Sequence, residues 1–228
     1  MRSLHILIWL LLTLLMTFAF GQSKPAQVKV LVTNFSGSVI EGEEIWFKSV
    51  ITKKIYKGKS DENGRIELQL FGPDNYMIMV KGVGNTTDYS KLILPTLDKG
   101  IVYGTYEVTV EIDPAKEFTL DHVYFETGKS ILKSDSYAEL NELQEYLTRK
   151  KTAIIEIAGH TDDVGEAESN MKLSLARSES VKAYLVKNGI DKNRIIAKGY
   201  GEEQPKADNS SESGRKLNRR TEVRVISE

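Results

Sequence analysis

Charged and polar side chains are concentrated in the segment "GHTDDVGEAESNMKLSLAR", residues 159–177. The segment leaves an apolar run typical of a buried strand, crosses a polar loop and enters a helical pattern. It places Asp162 at the start of the loop and Arg177 within the helix. Opposite charges on two such elements either neutralise each other or bind a group that carries both charges. The spacing alone leaves both possibilities open.

A second polar cluster, "GRKLNRR", contains Asn218, Arg219 and Arg220. Arginine-rich patches can bind nucleic acid, but no aromatic residues interleave with these arginines. We therefore predict no nucleic-acid partner and expect the arginines to pair with the acidic loops. Asn170 lies between Asp162 and the helix and has two interpretations: it caps the second helix, or it lines a pocket.

Catalytic signatures are absent from the sequence, which has no nucleophile elbow and no phosphate-binding glycine loop. His160 with Asp162 and Asp163 could begin a metal site, but a stable site needs three or four converging ligands. His122 is the one obvious further nitrogen ligand. We predict no enzyme activity, no metal and no cofactor, and a metal-dependent hydrolase centred on His160 is the weakest alternative.

Length and composition limit the remaining classes. The chain has 228 residues, enough for two domains, and a formal net charge of -1. This charge gives no overall attraction to nucleic acid or to an anionic membrane. Because the sequence has no cysteine, disulfides, thiolate metal ligands and an amino-terminal lipid-carrying cysteine are excluded.

Residues 1–21 have the pattern of a secretory signal peptide. Arg2 precedes the apolar run 4–20, and the small residues Ala19 and Gly21 precede a cleavage site before Gln22. The alternative is an uncleaved membrane anchor, for which the run is short. A signal peptide predicts export to the periplasm.

Residues 27–112 read as strands with one buried face. Apolar residues alternate at 28–32, 66–70, 76–80 and 106–112, and turn signals separate these runs. The pattern predicts an all-β antiparallel sandwich, followed by a linker at 113–117. We expect "DENG", residues 61–64, to be a hairpin turn and not a calcium loop, which would need a glutamate at its twelfth position.

Residues 118–228 alternate between strand and helix patterns. Strands are predicted at 120–125, 153–159, 194–200 and 221–227, and helices at 134–150 and 173–189. This βαβαββ order predicts a mixed sheet with helices on it, an α/β sandwich. We expect Ser136 and Glu139 to form a capping box at the first helix. The almost continuously apolar strand 153–159 is expected to be covered on both faces.

Two resemblances add to these patterns. The order of strands and turns in 27–112 is similar to the transthyretin-like module, also seen as a carboxypeptidase regulatory-like domain, which implies a transthyretin- or Ig-like sandwich without a catalytic site. In residues 118–228, "VYFETGKSIL", "GHTDDVG", "NMKLSLARSESVKAYL", "YGEEQP" and "GRKLNRRTEV" resemble, in order, the OmpA-like carboxy-terminal domain.

The OmpA-like resemblance implies non-covalent binding of peptidoglycan through the diaminopimelate residue of its stem peptide. By this resemblance Asp162 would accept the diaminopimelate ammonium and Arg177 would hold the adjacent carboxylate. The resemblance places the remaining positions in two groups. Pocket-lining residues are Thr161, Asn170 and the backbone donors Thr127 and Gly128; supporting residues are Asn218, Arg219 and Arg220.

The leading hypothesis is therefore a non-catalytic periplasmic protein that links an envelope component, associated with the outer membrane, to the cell wall. The alternative is an adaptor or scaffold subunit of an outer-membrane secretion or assembly machine. In that case residues 27–112 would bind an outer-membrane or periplasmic protein, because wall binding does not require the added sandwich.

Overall fold

The computed structural model describes residues 24–83, 86–113 and 116–227. The predicted signal peptide at 1–21 lies outside the described residues, and so do positions 114 and 115 of the predicted linker. Within the described ranges, none of the helices has the length and apolar character needed to span a membrane.

Seven strands make up the first half of the described chain, in two sheets that share one buried core. The strands are β1 (Ala26–Thr33), β2 (Glu44–Ser49), β3 (Ile55–Lys59), β4 (Arg65–Leu70), β5 (Asp74–Lys81), β6 (Thr86–Leu94) and β7 (Thr105–Glu111). The sheet orders are β4-β1-β7 and β3-β2-β5-β6. Alternation in β1 points Val28 and Val30 at Phe47 and Ile78 of the other sheet. The transthyretin-like or Ig-like assignment stays a prediction, as do the domain boundaries.

Two expectations for this half are wrong. The sheets are not wholly antiparallel, because β1 and β7 pair in parallel. The turn at 61–64 is not a hairpin turn, because β3 and β4 belong to different sheets and the chain crosses between them. Gly64 takes a positive φ of 71°, and the Asp61 carboxylate accepts from the backbone N–H groups of Asn63 and Arg65 at 2.9 and 2.8 Å. That carboxylate therefore stabilises the crossing.

Strands and helices alternate in the second half. The elements are β8 (Glu117–Thr119), α1 (Tyr137–Arg149), β9 (Ile154–Gly159), α2 (Ala167–Lys187), β10 (Ile195–Gly199), α3 (Glu212–Asn218) and β11 (Thr221–Ser227). The sheet order is β10-β9-β11-β8, with β9 and β10 parallel and β11 antiparallel to both β9 and β8. The predicted mixed α/β fold is confirmed, with α3 as an addition.

The first strand of this half lies at 117–119 and not at the predicted 120–125. Beyond β8, backbone donors bond to side chains of α1 and of the turn before it. The Glu139 carboxylate accepts from the N–H groups of Asp121 and His122, and Ser136 Oγ accepts from Tyr124 N. The predicted capping box between Ser136 and Glu139 is wrong, because both side chains hold this extended segment instead.

Strand β9 is buried on both faces, as predicted, but the two faces differ. Ile155 and Ile157 pack into the core with residues of α1 and α2. On the other face Glu156 is buried and accepts from Tyr200 and Arg224 at 2.8 and 3.2 Å. Polar side chains therefore cover the second face of β9.

Helix α2 approaches β9 and β10 closely because glycine faces it from both strands. Gly159 and Gly199 are register partners. A Cβ at Gly159 would clash with the backbone oxygen of Ser174, and one at Gly199 with the backbone of Leu175. The small Ser178 faces the same strands and donates to Lys198 O at 2.8 Å. The position of α2 on the sheet, and of every side chain that the helix carries, thus depends on these glycines.

We expect Gly159→Ala to lower the free energy of unfolding by about 2 kcal/mol, because overpacking a closed contact costs roughly 1–3 kcal/mol. Urea denaturation followed by helical circular dichroism measures this, since the helices of the described chain lie in the second half. The matched control is Gly104→Ala, because a Cβ at Gly104 meets nothing within 4 Å. Equal denaturation midpoints for the two variants would contradict the close-packing argument.

Candidate functional site

The loop after β9 is fixed by backbone hydrogen bonds on two sides. His160 N donates to Arg220 O at 3.0 Å, and Thr161 N donates to Gly201 O at 2.8 Å. Asp162 follows directly and is 8% exposed. Its carboxylate is therefore held by ordered backbone at the carboxyl end of β9.

The partner of Asp162 is Arg219 and not Arg177. Arg219 Nη1 lies 2.6 Å from Asp162 Oδ2, and Arg219 Nη2 lies 2.6 Å from Glu212 Oε1. The hydrogen bonds that Arg219 donates to these two carboxylates raise its pKa. Asp162 Oδ1 accepts from Val164 N at 3.3 Å. The expectation that the late arginines pair with acidic loops is confirmed for this residue.

Arg177 projects from α2 toward the loop before α1. Its Nε donates to Lys129 O at 3.1 Å, and its guanidinium carbon lies 5.1 Å from the centre of the Phe125 ring. Burial lowers the pKa of Arg177, Asp162 raises it and Arg219 lowers it, so the three charges interact. Among the described residues, Arg177 has no carboxylate within ion-pair distance, and nothing accepts from its Nη1 or Nη2. Asp162 and Arg177 are neighbours that do not neutralise each other.

The loop that meets Arg177 has two backbone N–H groups, those of Thr127 and Gly128, that donate to no described residue. Phe125 and Leu132 form an isolated antiparallel bridge, and Lys129 N donates to Glu126 O at 3.0 Å. Thr127 and Gly128 are the central residues of this β-turn, with φ of 69° at Gly128, and both are exposed. Both N–H groups belong to the loop whose Lys129 carbonyl accepts from Arg177.

Asn170 is buried inside α2 and connects three segments. Its Nδ2 donates to Glu202 Oε2 at 2.7 Å and to the backbone oxygens of Asp162 and Val164 at 3.3 Å. The helix begins at Ala167 with Glu166 at the N-cap position, so the interpretation of Asn170 as a helix cap is wrong. The sequence analysis assigned no role to Glu202, although this residue lies in "YGEEQP", one of the segments that carry the OmpA-like resemblance.

Thr161, Asn218 and Arg220 have different surroundings. Thr161 Oγ1 is buried without a hydrogen-bond partner among the described residues. Asn218 is fully buried and its amide bonds to the backbone of Lys206 and Ala207 at 2.7 to 3.0 Å. Arg220 Nε lies 2.6 Å from Glu222 Oε1. Asn218 and Arg220 therefore hold the surrounding loops, while Thr161 adjoins Asp162.

His160 precedes Thr161 at the end of β9 and lies among the polar side chains that cover the second face of this strand. Its ring stacks on Tyr200 with centroids 5.3 Å apart, and its Nε2 lies 3.3 Å from Glu222 Oε2. Burial, and then Arg220, lowers the pKa of His160 to about 4, against the opposing effect of Glu222. Burial raises the pKa of Glu222, but hydrogen bonds from Lys206 and Arg220 outweigh it and lower that pKa strongly. In the described part of the chain, no group of three or more histidine or acidic residues could hold a metal ion.

Part of the second half is similar to known proteins. Residues 124–219 match the model of the OmpA family. They form an OmpA family domain. The outer membrane porin F of Pseudomonas fluorescens is 44% identical over 103 residues, which cover 45% of this chain and 32% of the relative. Outer membrane protein A of Bordetella avium is 40% identical over 103 residues, covering 45% and 53%. The chain thus spans about a third to a half of these relatives, which are outer-membrane proteins by name.

Among solved structures, the peptidoglycan-associated lipoprotein from Burkholderia pseudomallei is 26% identical with a TM-score of 0.42, over 49% of this chain and 89% of that one. A putative MotB-like protein from Desulfovibrio vulgaris is 31% identical with a TM-score of 0.45, and the match covers 49% of this chain and 73% of that one.

The buried His160 predicts a pH-dependent stability. The unfolded chain binds a proton at this residue below about pH 6.5 and the folded chain only below about pH 4. The contribution of neutral His160 to the free energy of unfolding is therefore complete above pH 6.5 and is lost as the pH falls toward 4. We expect the free energy of unfolding to fall by about 2 kcal/mol between about pH 7 and about pH 5, measured by urea denaturation.

The His160→Gln variant should lose most of this dependence, because it has no imidazole to protonate. His122→Gln is the matched control, since His122 is exposed. A His160→Gln variant with the full pH dependence of the parent would show that another group is responsible.

Proposed function

We propose that the OmpA family domain of this protein binds peptidoglycan non-covalently, without catalysis, and links an envelope component to the cell wall. The observation that carries the proposal is the separation of charge at the end of β9. Asp162 and Arg177 interact but form no ion pair, and rigid elements hold both. Asp162 pairs with Arg219 instead, which leaves Nη1 and Nη2 of Arg177 without an acceptor among the described residues.

Diaminopimelate carries an ammonium and a carboxylate on one carbon, and the two charges of the site match that pair. Asp162 would accept the ammonium, and Nη1 and Nη2 of Arg177 would donate to the carboxylate. A planar guanidinium holds a carboxylate with two parallel hydrogen bonds, which an ammonium cannot do. Because Arg177 is already anchored at Nε by Lys129 O, little rotamer entropy is lost on binding.

Three further groups extend the proposed pocket. The N–H groups of Thr127 and Gly128 offer donors around the ligand, the buried Thr161 hydroxyl lies next to Asp162, and Asn170 fixes the loop that carries Asp162. Arg219 stays on Asp162 and Glu212, so its charge is balanced within the protein.

We expect Asp162→Asn and Arg177→Gln each to weaken co-sedimentation of the purified full chain with intact sacculi by about 10–100-fold. The basis is the roughly 1.5–3 kcal/mol of a hydrogen bond to a charged group. Free diaminopimelate should compete with sacculi for the unmodified protein and lose this effect in both variants.

The matched controls are Asp163→Asn and Lys187→Ala. Asp163 is an exposed acid next to Asp162, and Lys187 is an exposed cation on α2, the helix that carries Arg177. Both should sediment like the parent, and circular dichroism should show all four variants folded. If both site variants sedimented normally, the site assignment would fail; if only competition failed, another wall component would be the ligand.

A second candidate function, that of an adaptor with a protein partner, is favoured by one surface of the first half. We define the distal apolar patch as three exposed residues, Val50 at 42%, Ile51 at 69% and Ile93 at 63% exposure. Val50 N donates to Asn75 O, and Asn75 is the register partner of Ile93, so the three residues adjoin. Clustered exposed apolar side chains are typical of interaction surfaces.

The patch lies away from the second half of the chain. Strand β5 begins at Asp74 beside the patch and ends at Lys81, whose Nζ lies 3.0 Å from Glu142 of α1. A partner on the patch could thus be bound while the OmpA family domain binds the wall. We propose an outer-membrane or periplasmic protein as that partner.

A photo-crosslinking residue at Val50 should trap one reproducible protein in cells, and Ile51→Ser with Ile93→Ser should abolish the product. The same crosslinker at Glu67, exposed on β4, is the control position and should trap nothing comparable. Identical products at both positions, or wall fragments alone, would count against the adaptor function.

A further inference from the structure

A cavity of about 570 Å³ lies between the two halves of the protein. Its walls come from the β1–β2 loop, the α1–β9 connection and the end of β11; we call it the interdomain cavity, lined among others by Asn34, Ile40, Glu41, Arg149, Lys151 and Val225. The α1–β9 connection precedes β9, whereas Asp162 follows it. The cavity is therefore at the opposite end of the sheet from the proposed wall-binding site.

Arg149 is the unusual residue of this cavity. It is the last residue of α1, is 7% exposed, and has no carboxylate within ion-pair distance among the described residues. Its Nε and Nη1 are buried and have no hydrogen-bond partner there. Removing a guanidinium from water without a partner costs several kcal/mol, and buried charges in proteins are normally paired.

The remaining charges around the cavity balance one another. Lys150 is committed to Glu43, with Nζ and Oε1 2.8 Å apart and both side chains buried. At the rim, the exposed cations are Lys116 and Lys151 and the exposed acids are Glu41 and Asp113. Among the described residues that line the cavity, Arg149 is thus the buried cation without a carboxylate partner.

We propose that the interdomain cavity binds a small molecule through an oxyanion, phosphate or carboxylate, that pairs with Arg149. Guanidinium groups bind both oxyanions with charge-assisted hydrogen bonds. Ligand pockets commonly enclose about 300–1,000 Å³, so this volume holds more than a bare phosphate and suits a small organic anion. Such a ligand contacts residues of both halves, and its binding is independent of the Asp162 site.

The test is thermal unfolding of the purified full chain in chloride, phosphate or acetate at matched pH and ionic strength. At an anion concentration ten times Kd, we expect the melting temperature to rise by about 3–5 °C relative to chloride. A rise with phosphate identifies a phosphoryl ligand, and a rise with acetate alone identifies a carboxylate ligand. No rise with either anion would overturn the proposal.

Variants assign the effect to the cavity. Arg149→Met should remove the shift without lowering the melting temperature in chloride, because it deletes an unpaired buried charge. Arg65→Met, an exposed arginine on β4, should keep the full shift. An undiminished shift in Arg149→Met would refute the site. If that variant did not fold, Lys116→Met with Lys151→Met should at least halve the shift, and an unchanged shift there would refute it equally.

Discussion

The contact of α2 with β9 and β10 is the constraint on which the rest of the second half depends. Two paired glycines let the helix backbone come within clashing distance of any larger side chain. The helix in turn fixes Asn170, which holds the loop after β9, and Arg177, which meets the loop before α1. A close backbone contact therefore determines the relative positions of charges that come from three separate segments.

Behind this contact, the electrostatics of the domain are arranged in two layers. The inner layer contains Glu156 and Glu222, buried carboxylates each held by several cations on the second face of β9. The outer layer contains Asp162 with Arg219, and Arg177 apart from them. Each inner carboxylate is paired with several cations. In the outer layer, by contrast, Arg177 keeps guanidinium donors that can bind a ligand.

Local patterns in the sequence predicted much of the second half. The strand predicted at 221–227 has the bounds that β11 shows, and the pairing of Arg219 with an acidic loop followed from residue types alone. The wrong predictions have a common physical cause: local rules could not anticipate a partner distant in sequence. The side chains of Glu139 and Ser136 accept from backbone groups 12 to 18 positions away in the sequence, and Asn170 donates to Glu202, 32 positions away. None of these three side chains therefore caps a helix. The crossing at 61–64 likewise depends on which sheet receives β4, which alternation does not specify.

The order of strands in the second sheet has a consequence for when the site forms. Strand β9 pairs with β11, the final strand of the described chain, and Arg219 reaches back 57 positions to Asp162. Contacts of such long sequence separation are slow to close and cannot be made before the intervening chain is present. During synthesis, the early residues of this site must therefore wait for the late ones. A chain that stops before Arg219 lacks the assembled charges.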